Sequence, residues 1–371
     1  MCSWINRYVQ IVSIFYIILL VAACTVNQKE YISDKDNKAK FRITSKQTTS
    51  IIQNNWNTNL LLSKLMHRLV LMKNNSYFFA FILVFLAGLS WSFGAVVVRH
   101  MEEANAYVFQ YLFYRGISIA LILIFYLIIR EGFDFYKNFF KVGISGIFGG
   151  IFLAIAFTGF IYSITITTAA VTLFMLAAMP FIAAIFGYLF LGELLKRSTF
   201  ISMIIAFVGV CIMIINDSIS GTVLGAFLGF LSATGFALYT VTIRWKPETP
   251  KFTTVVLAGI FCTAFSFIFL GFSFEPFKSM PTINSYLSLL HGLFVAMGLI
   301  LYSLGAKYLP SAELALLSLM EVVGGVLWVW LPIFGINETP TFTVIIGGLI
   351  ITIAVIYHGY GSRRKREPVL P

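Results

Sequence analysis

Charge is what this sequence has least of. Only 11% of its 371 residues are Asp, Glu, Lys or Arg, and the acids number 15. A soluble domain of this length needs far more polar surface, so that class is excluded. Cysteine is sparse too: four residues, with no CxxC pair and no His/Cys cluster at metal-ligand spacing. That excludes a disulfide framework and a structural metal site. Cys211 and Cys262 fall inside apolar runs and read as small core residues. The sequence has no GxxxxGK[ST] loop, no GxSxG elbow and no HExxH. A nucleotide-driven pump, a serine hydrolase and a zinc protease therefore lack their signatures. The loops are short and poor in catalytic side chains, so no enzymatic activity, metal or other cofactor is expected.

Apolar length is what the chain has instead. Hydrophobic residues make up 59% of it, and its mean hydropathy is +0.90. Windows of about 20 apolar residues mark ten candidate spans, near 76–98, 106–129, 142–163, 166–191, 198–216, 221–243, 252–272, 284–306, 309–334 and 341–360. Backbone groups in lipid must be satisfied within the segment, so each span is expected to be a helix. Pro180 in span four removes a helical donor and is the expected hinge.

The spans form two blocks of five. An offset of 142 residues lays Ser90 on Ser232, Ala170 on Ala312 and Met179-Pro180 on Glu321-Val322. Three extra residues then shift the offset to 145, and Glu193 falls on Glu338. Five is odd, so the second block must enter the bilayer from the opposite side. The expected fold is all-α: ten transmembrane helices in two inverted five-helix repeats, with substrate bound near the midplane between them. The expected division is an extension over 1–71, a first repeat over 72–217, a second over 218–361 and a basic tail over 362–371.

Loop charge gives orientation. With Lys73 inside, one face also collects Arg130, Lys196, Arg244, Lys307 and Arg363-Arg364-Lys365-Arg366, among fourteen basic residues; the other face has Arg99 and Lys278. Lys and Arg favour the cytoplasmic side, so both termini of the ten-span unit are expected inside. The net charge of +11 therefore points to membrane lipid heads rather than nucleic acid. Residues 1–71 fit this scheme poorly. Arg7, the apolar run 11–21 and Val21-Ala22-Ala23-Cys24 look like a lipoprotein signal, yet processing at Cys24 would invert all ten spans against the charge count. A start at Met66 or Met72 removes the conflict; a disordered arm or an eleventh helix are the alternatives.

Ionisable groups deep in a span are costly and mark candidate sites. Arg115 lies about 14 Å into span two at 1.5 Å per residue. It reads either as a clamp for a carboxylate or phosphate or as one half of an internal ion pair. Glu321, near the middle of span nine, reads as a binder of a cationic group, as the carrier of a coupling proton, or as the partner of Arg115. His291 in span eight is the second coupling candidate or a packing residue. Glu313 reads as a rim residue. Trp91, Tyr162, Tyr239 and Tyr302 place polar-tipped aromatics on spans of both blocks, where they can line a substrate cavity or fill the core. Trp328 and Trp330 read as belt residues.

Several of these pieces recur together elsewhere. Span four runs from Ala169-Ala170-Val171 through Met179-Pro180-Phe181 to Leu191-Gly192-Glu193. Span nine runs from Ala312-Glu313-Leu314 through Met320-Glu321-Val322 to Asn337-Glu338-Thr339-Pro340, and span two carries Tyr114-Arg115. In this combination residues 76–361 resemble the drug/metabolite transporter superfamily, and within it the EamA-domain transporters. Val322 departs from that pattern, which often has proline after the glutamate. The resemblance implies a multi-pass carrier of a bacterial inner membrane; a chain of this size could act as a monomer or a homodimer. It would move small organic solutes such as amino acids, amines, nucleoside-like compounds or vitamins, by itself or with a coupled proton or ion. A lipid-moving or structural membrane protein is the alternative.

Overall fold

The computed structural model describes residues 76–166, 169–214, 223–246, 248–337 and 339–362. The extension 1–71, the start at Met72, the repeat border at 217, Glu338 and the basic tail lie outside these residues. The chain divides into two compact units, Met1–Phe79 and Ala80–Pro371, and the contacts described below belong to the second.

Every expected span is a helix. Spans one to three are Ser76–Arg99, Val108–Glu131 and Gly143–Ile166. Span four is two half-helices, Ala169–Leu176 and Met179–Leu191, and span five is Arg197–Ile214. Spans six to eight are Val223–Trp245, Lys251–Phe269 and Thr282–Gly305. Span nine is again two half-helices, Ser311–Ser318 and Met320–Trp330, and span ten is Phe342–Ser362. Among the described residues, nine spans have the length and hydropathy to cross a bilayer, and span five is apolar but shorter.

The outward faces are as apolar as the core. Leu121, Phe125 and Ile129 form an exposed stripe at four-residue spacing on span two, as do Ile345, Leu349 and Ile353 on span ten. Side chains four apart share one helix face. In water such stripes would be large apolar patches, whereas in lipid they are the solvent-facing surface.

The helices pair as a duplication with an internal two-fold requires. Span two packs on span eight and span seven on span three, which are equivalent pairs. Ser90 of span one donates to the Phe294 carbonyl of span eight, and Ser232 of span six donates to the Ala156 carbonyl of span three, each at 2.8 Å. Spans two and seven, and spans five and ten, pair with their own equivalents. Both of these self-pairings are crossings of glycine on glycine. A Cβ built on Gly116 would lie 2.8 Å from the Gly259 carbonyl, and one on Gly209 would lie 2.8 Å from that of Gly347. Only a residue without a side chain lets the two backbones approach so closely.

The two broken spans are equivalent as well. Span four breaks at Ala177–Ala178 and span nine at Leu319, and the offset of 142 lays Ala177 on Leu319. Both breaks are tightened turns, with Ala178 N–H donating to the Met175 carbonyl and Leu319 N–H to that of Leu316, each at 3.2 Å. Pro180 follows the break directly, and the helical acceptor it leaves unpaired is the carbonyl of Leu176, the last residue of the first half-helix. Pro180 is the second residue of the half-helix that follows, where a missing N–H costs little. Span nine breaks with Val322 in the corresponding place.

Candidate functional site

Spans one, two, three, four, six, eight and nine surround one cavity. It holds about 600 Å3 of empty space including its open side. Arg115 and Glu321 both line it, as do Trp91 and His291. Leu176 and Met179 reach it from either side of the break in span four, and Ser318 and Glu321 from either side of the break in span nine. The breaks thus lie at the cavity wall. Equivalent positions of the two repeats, Met179 and Glu321, both face into it, one apolar and one acidic.

Arg115 is 4% exposed, and its Nε and Nη1 have no hydrogen-bond partner. Its guanidinium lies 4.8 Å from the centre of the Phe157 ring, a cation–π arrangement. No ion pair or hydrogen bond joins it to Glu321 among the described residues, so the internal salt bridge is not formed. Glu321 stands in the first turn of the half-helix Met320–Trp330. The helix N-terminus is the end that favours a negative charge.

His291 is placed by two neighbours. Its Nδ1 is hydrogen-bonded to the Tyr111 hydroxyl, one helical turn before Arg115, and the two rings stack at 5.7 Å. On the other side, a Cβ on Gly94 would come within 2.5 Å of His291 Nε2, so span one leaves room for the imidazole only with glycine there. Trp91 is 6% exposed, and its Nε1 donates to the Val295 carbonyl at 3.2 Å. Phe157, Phe160 and Phe236 complete an aromatic wall.

The tyrosines occupy other places. Tyr302 packs 5.5 Å behind Trp91, and its hydroxyl is 2.7 Å from Thr240 Oγ1. The Tyr239 hydroxyl is 3.3 Å from Ser303 Oγ. Both rings are fully buried and brace the wall from behind rather than facing the cavity. Tyr162 stands apart, with its ring against Phe109 at 5.3 Å.

The end of the bundle that carries Lys196, Arg244 and Lys307 holds two buried ion clusters that loop-charge counting hides. Arg244 is 2% exposed and sits in the last turn of span six. Its Nε donates to Glu193 Oε1 at 2.6 Å, and its Nη1 donates to the Ala306 and Leu309 carbonyls. Glu193 Oε2 accepts the Ser311 N–H at 2.8 Å, at the start of span nine. Glu313, read from sequence as a rim residue, is only 1% exposed. It lies 3.2 Å from Lys196 Nζ and 3.4 Å from His358 Nε2 of span ten. Toward the other end, Trp328 is not a belt residue: its Nε1 donates to Ser92 Oγ at 2.8 Å and its ring stacks on Phe93. Trp330 remains outward, 44% exposed.

Comparison with known proteins places the first block. Residues 78–215 match the model of the EamA-like transporter family. No curated protein matches the chain significantly. A solved structure described as "Crystal structure of protein" superposes with a TM-score of 0.61 at 18% identity, covering 77% of this chain and 98% of its own. At that identity the likeness is one of fold.

Proposed function

We propose, for a chain whose residues 78–215 belong to the EamA-like transporter family, that it is a secondary carrier moving small organic metabolites by alternating access. The cargo class is amino acids, amines or related solutes. The observation that carries this reading is the buried guanidinium of Arg115, whose Nε and Nη1 have no hydrogen-bond partner and which lines one cavity together with Glu321. A cavity lined by an incompletely satisfied arginine and by a glutamate suits a solute that brings both charges. It has no place in a purely structural bundle, where buried ions are paired.

In this reading Arg115 binds a carboxylate or phosphate bidentately, and Trp91, Phe157 and Phe236 hold the apolar remainder. Glu321 takes an ammonium group or a coupling proton, and His291 is the second candidate for the proton. Tyr239 and Tyr302 fix the wall. The protein acts as a carrier rather than an enzyme. It sits in a bacterial inner membrane with the Lys196 and Arg244 end in the cytoplasm.

The test is a thermal-shift series on the purified full-length protein with matched ligands: an apolar amino acid, its decarboxylated amine and its deaminated acid. A ligand that binds only the folded state stabilises it by about 2.7 kcal/mol at a hundredfold excess over Kd. The amino acid is expected to shift Tm most, and Arg115→Met to abolish the shift. A response to the amine that survives Arg115→Met removes Arg115 from the site. A response only to phospholipid would favour the lipid-moving alternative.

A further inference from the structure

The cavity is closed toward the Arg244 end by two half-helices, Met179–Leu191 of span four and Ser311–Ser318 of span nine, which pack against each other. At the cavity floor, Ser318 Oγ lies 4.0 Å from Met179 Sδ. Below that, Ala183, Ala233, Ala237 and Ala315 make a tight apolar plug. Both half-helices are joined to the rest of their spans by the equivalent breaks at Ala177–Ala178 and Leu319. Each is therefore a short rigid rod with a joint at the cavity and a free end at the basic face.

One side chain holds both free ends. Gly192 ends span four in the left-handed conformation, φ 67°, and turns Glu193 back so that its N–H donates to the Gly187 carbonyl. From there Glu193 spans three elements. Its Oε1 takes Arg244 of span six, and its Oε2 takes the first N–H of span nine, where the helix end attracts an anion. Arg244 in turn holds the turn between spans eight and nine through two carbonyls. A Cβ on Gly187 would lie only 3.0 Å from Glu193 Oε2 and 3.4 Å from the Ser311 Cβ, so the carboxylate is seated in the crossing itself.

We propose that Glu193 is the latch of a gate. Its carboxylate joins Met179–Leu191 to Ser311–Ser318 and to Arg244, and the gate opens when that carboxylate releases Arg244 and the Ser311 N–H, letting the two rods part about their breaks. The cavity then communicates with the basic face. The latch rests on the carrier reading, but its test needs no substrate.

The experiment uses the full-length protein with Cys2, Cys24, Cys211 and Cys262 changed to alanine and Ala315→Cys as reporter. Ala315 is fully buried in the plug, so a water-soluble maleimide reaches it only through an open gate. The labelling rate is measured in detergent, with Glu193 and Arg244 intact and in Glu193→Gln and Arg244→Lys. Glu193→Gln keeps the shape and the acceptor for the Ser311 N–H but loses the charge; Arg244→Lys keeps the charge but loses the fork. A rise of about fivefold or more in either variant, with the protein monodisperse and cooperatively folded, is the expected result. Unchanged labelling in a folded variant overturns the latch. Unfolding of both variants also overturns it, because a gate must survive separation of its latch. A responsive latch beside a silent ligand series would sink the proposed cargo and leave the gate standing.

Discussion

Arg115 and Glu321 look into one cavity from different repeats and do not touch. Arg115 comes from span two and stacks on Phe157; Glu321 begins the second half of span nine. An arginine and a glutamate buried apart in a low-dielectric bundle are each costly in their ionised forms. In the proposed reading, a solute that fits between them completes both.

The first prediction separates binding from stability at Arg115. Its Nε and Nη1 have no partner, so replacing it by an apolar side chain of similar length removes an uncompensated buried charge. Arg115→Met is expected to unfold at the same or a higher temperature than the parent protein while losing its ligand response. A fall of several degrees in Tm without ligand would mean the guanidinium is holding the fold.

The second concerns the glycine crossings. Gly259→Ala places a methyl 2.8 Å from the Gly116 carbonyl and 2.9 Å from the Ala120 nitrogen. Both are backbone atoms and cannot rotate away, so spans two and seven must move apart. Overpacking of this kind costs about 1–3 kcal/mol. Gly348 lies in span ten with nothing within 4 Å of a built Cβ, and Gly348→Ala is expected to be neutral or stabilising. Thermal unfolding of the two variants in one detergent checks the contrast; equal Tm values would remove the crossing from the account.

Much of this was legible in the sequence, for a simple reason. A span must be long, apolar and helical, so hydropathy and length place Ser76–Arg99 or Thr282–Gly305 almost to the residue. The odd number of spans per block fixes the inversion, and depth within a span marks Arg115, Glu321 and His291 for the cavity. The chemistry at the basic end was hidden. Arg244 looks like any loop cation that sets orientation, and nothing local says that its guanidinium turns inward to meet Glu193, 51 residues earlier. Glu313 misleads in the same way, since its partners Lys196 and His358 come from distant spans. Tyr162 and Tyr302 share a composition with cavity residues, but only packing decides which face they take.

The third prediction concerns Pro180. Span nine breaks at the equivalent position without a proline, with Val322 where span four has Pro180. A proline is therefore not required for a break at this place in the fold. Pro180→Ala is expected to change Tm little, within about 1 kcal/mol, and to keep the ligand response of the parent. Loss of that response in a folded variant would make Pro180 the hinge.

The last prediction tests how tightly the basic end is held. Arg244 is almost wholly buried and Glu193 nearly so, at 1% and 10% side-chain exposure. Arg244→Met strands the carboxylate with the Ser311 N–H as its remaining described partner, and breaking a buried pair from one side typically costs about 3–5 kcal/mol. Adding Glu193→Gln removes the stranded charge, so the double variant is expected to be more stable than Arg244→Met alone. Arg115→Met is the internal control, since it deletes the same side chain where no carboxylate is paired with it. A double-mutant cycle of unfolding in one detergent measures the coupling. A clear coupling at Glu193–Arg244 beside a neutral Arg115→Met would show that this bundle spends one arginine on holding itself together and keeps the other for its ligand. A coupling near zero would mean that water reaches the pair, and the basic end would then be open rather than shut.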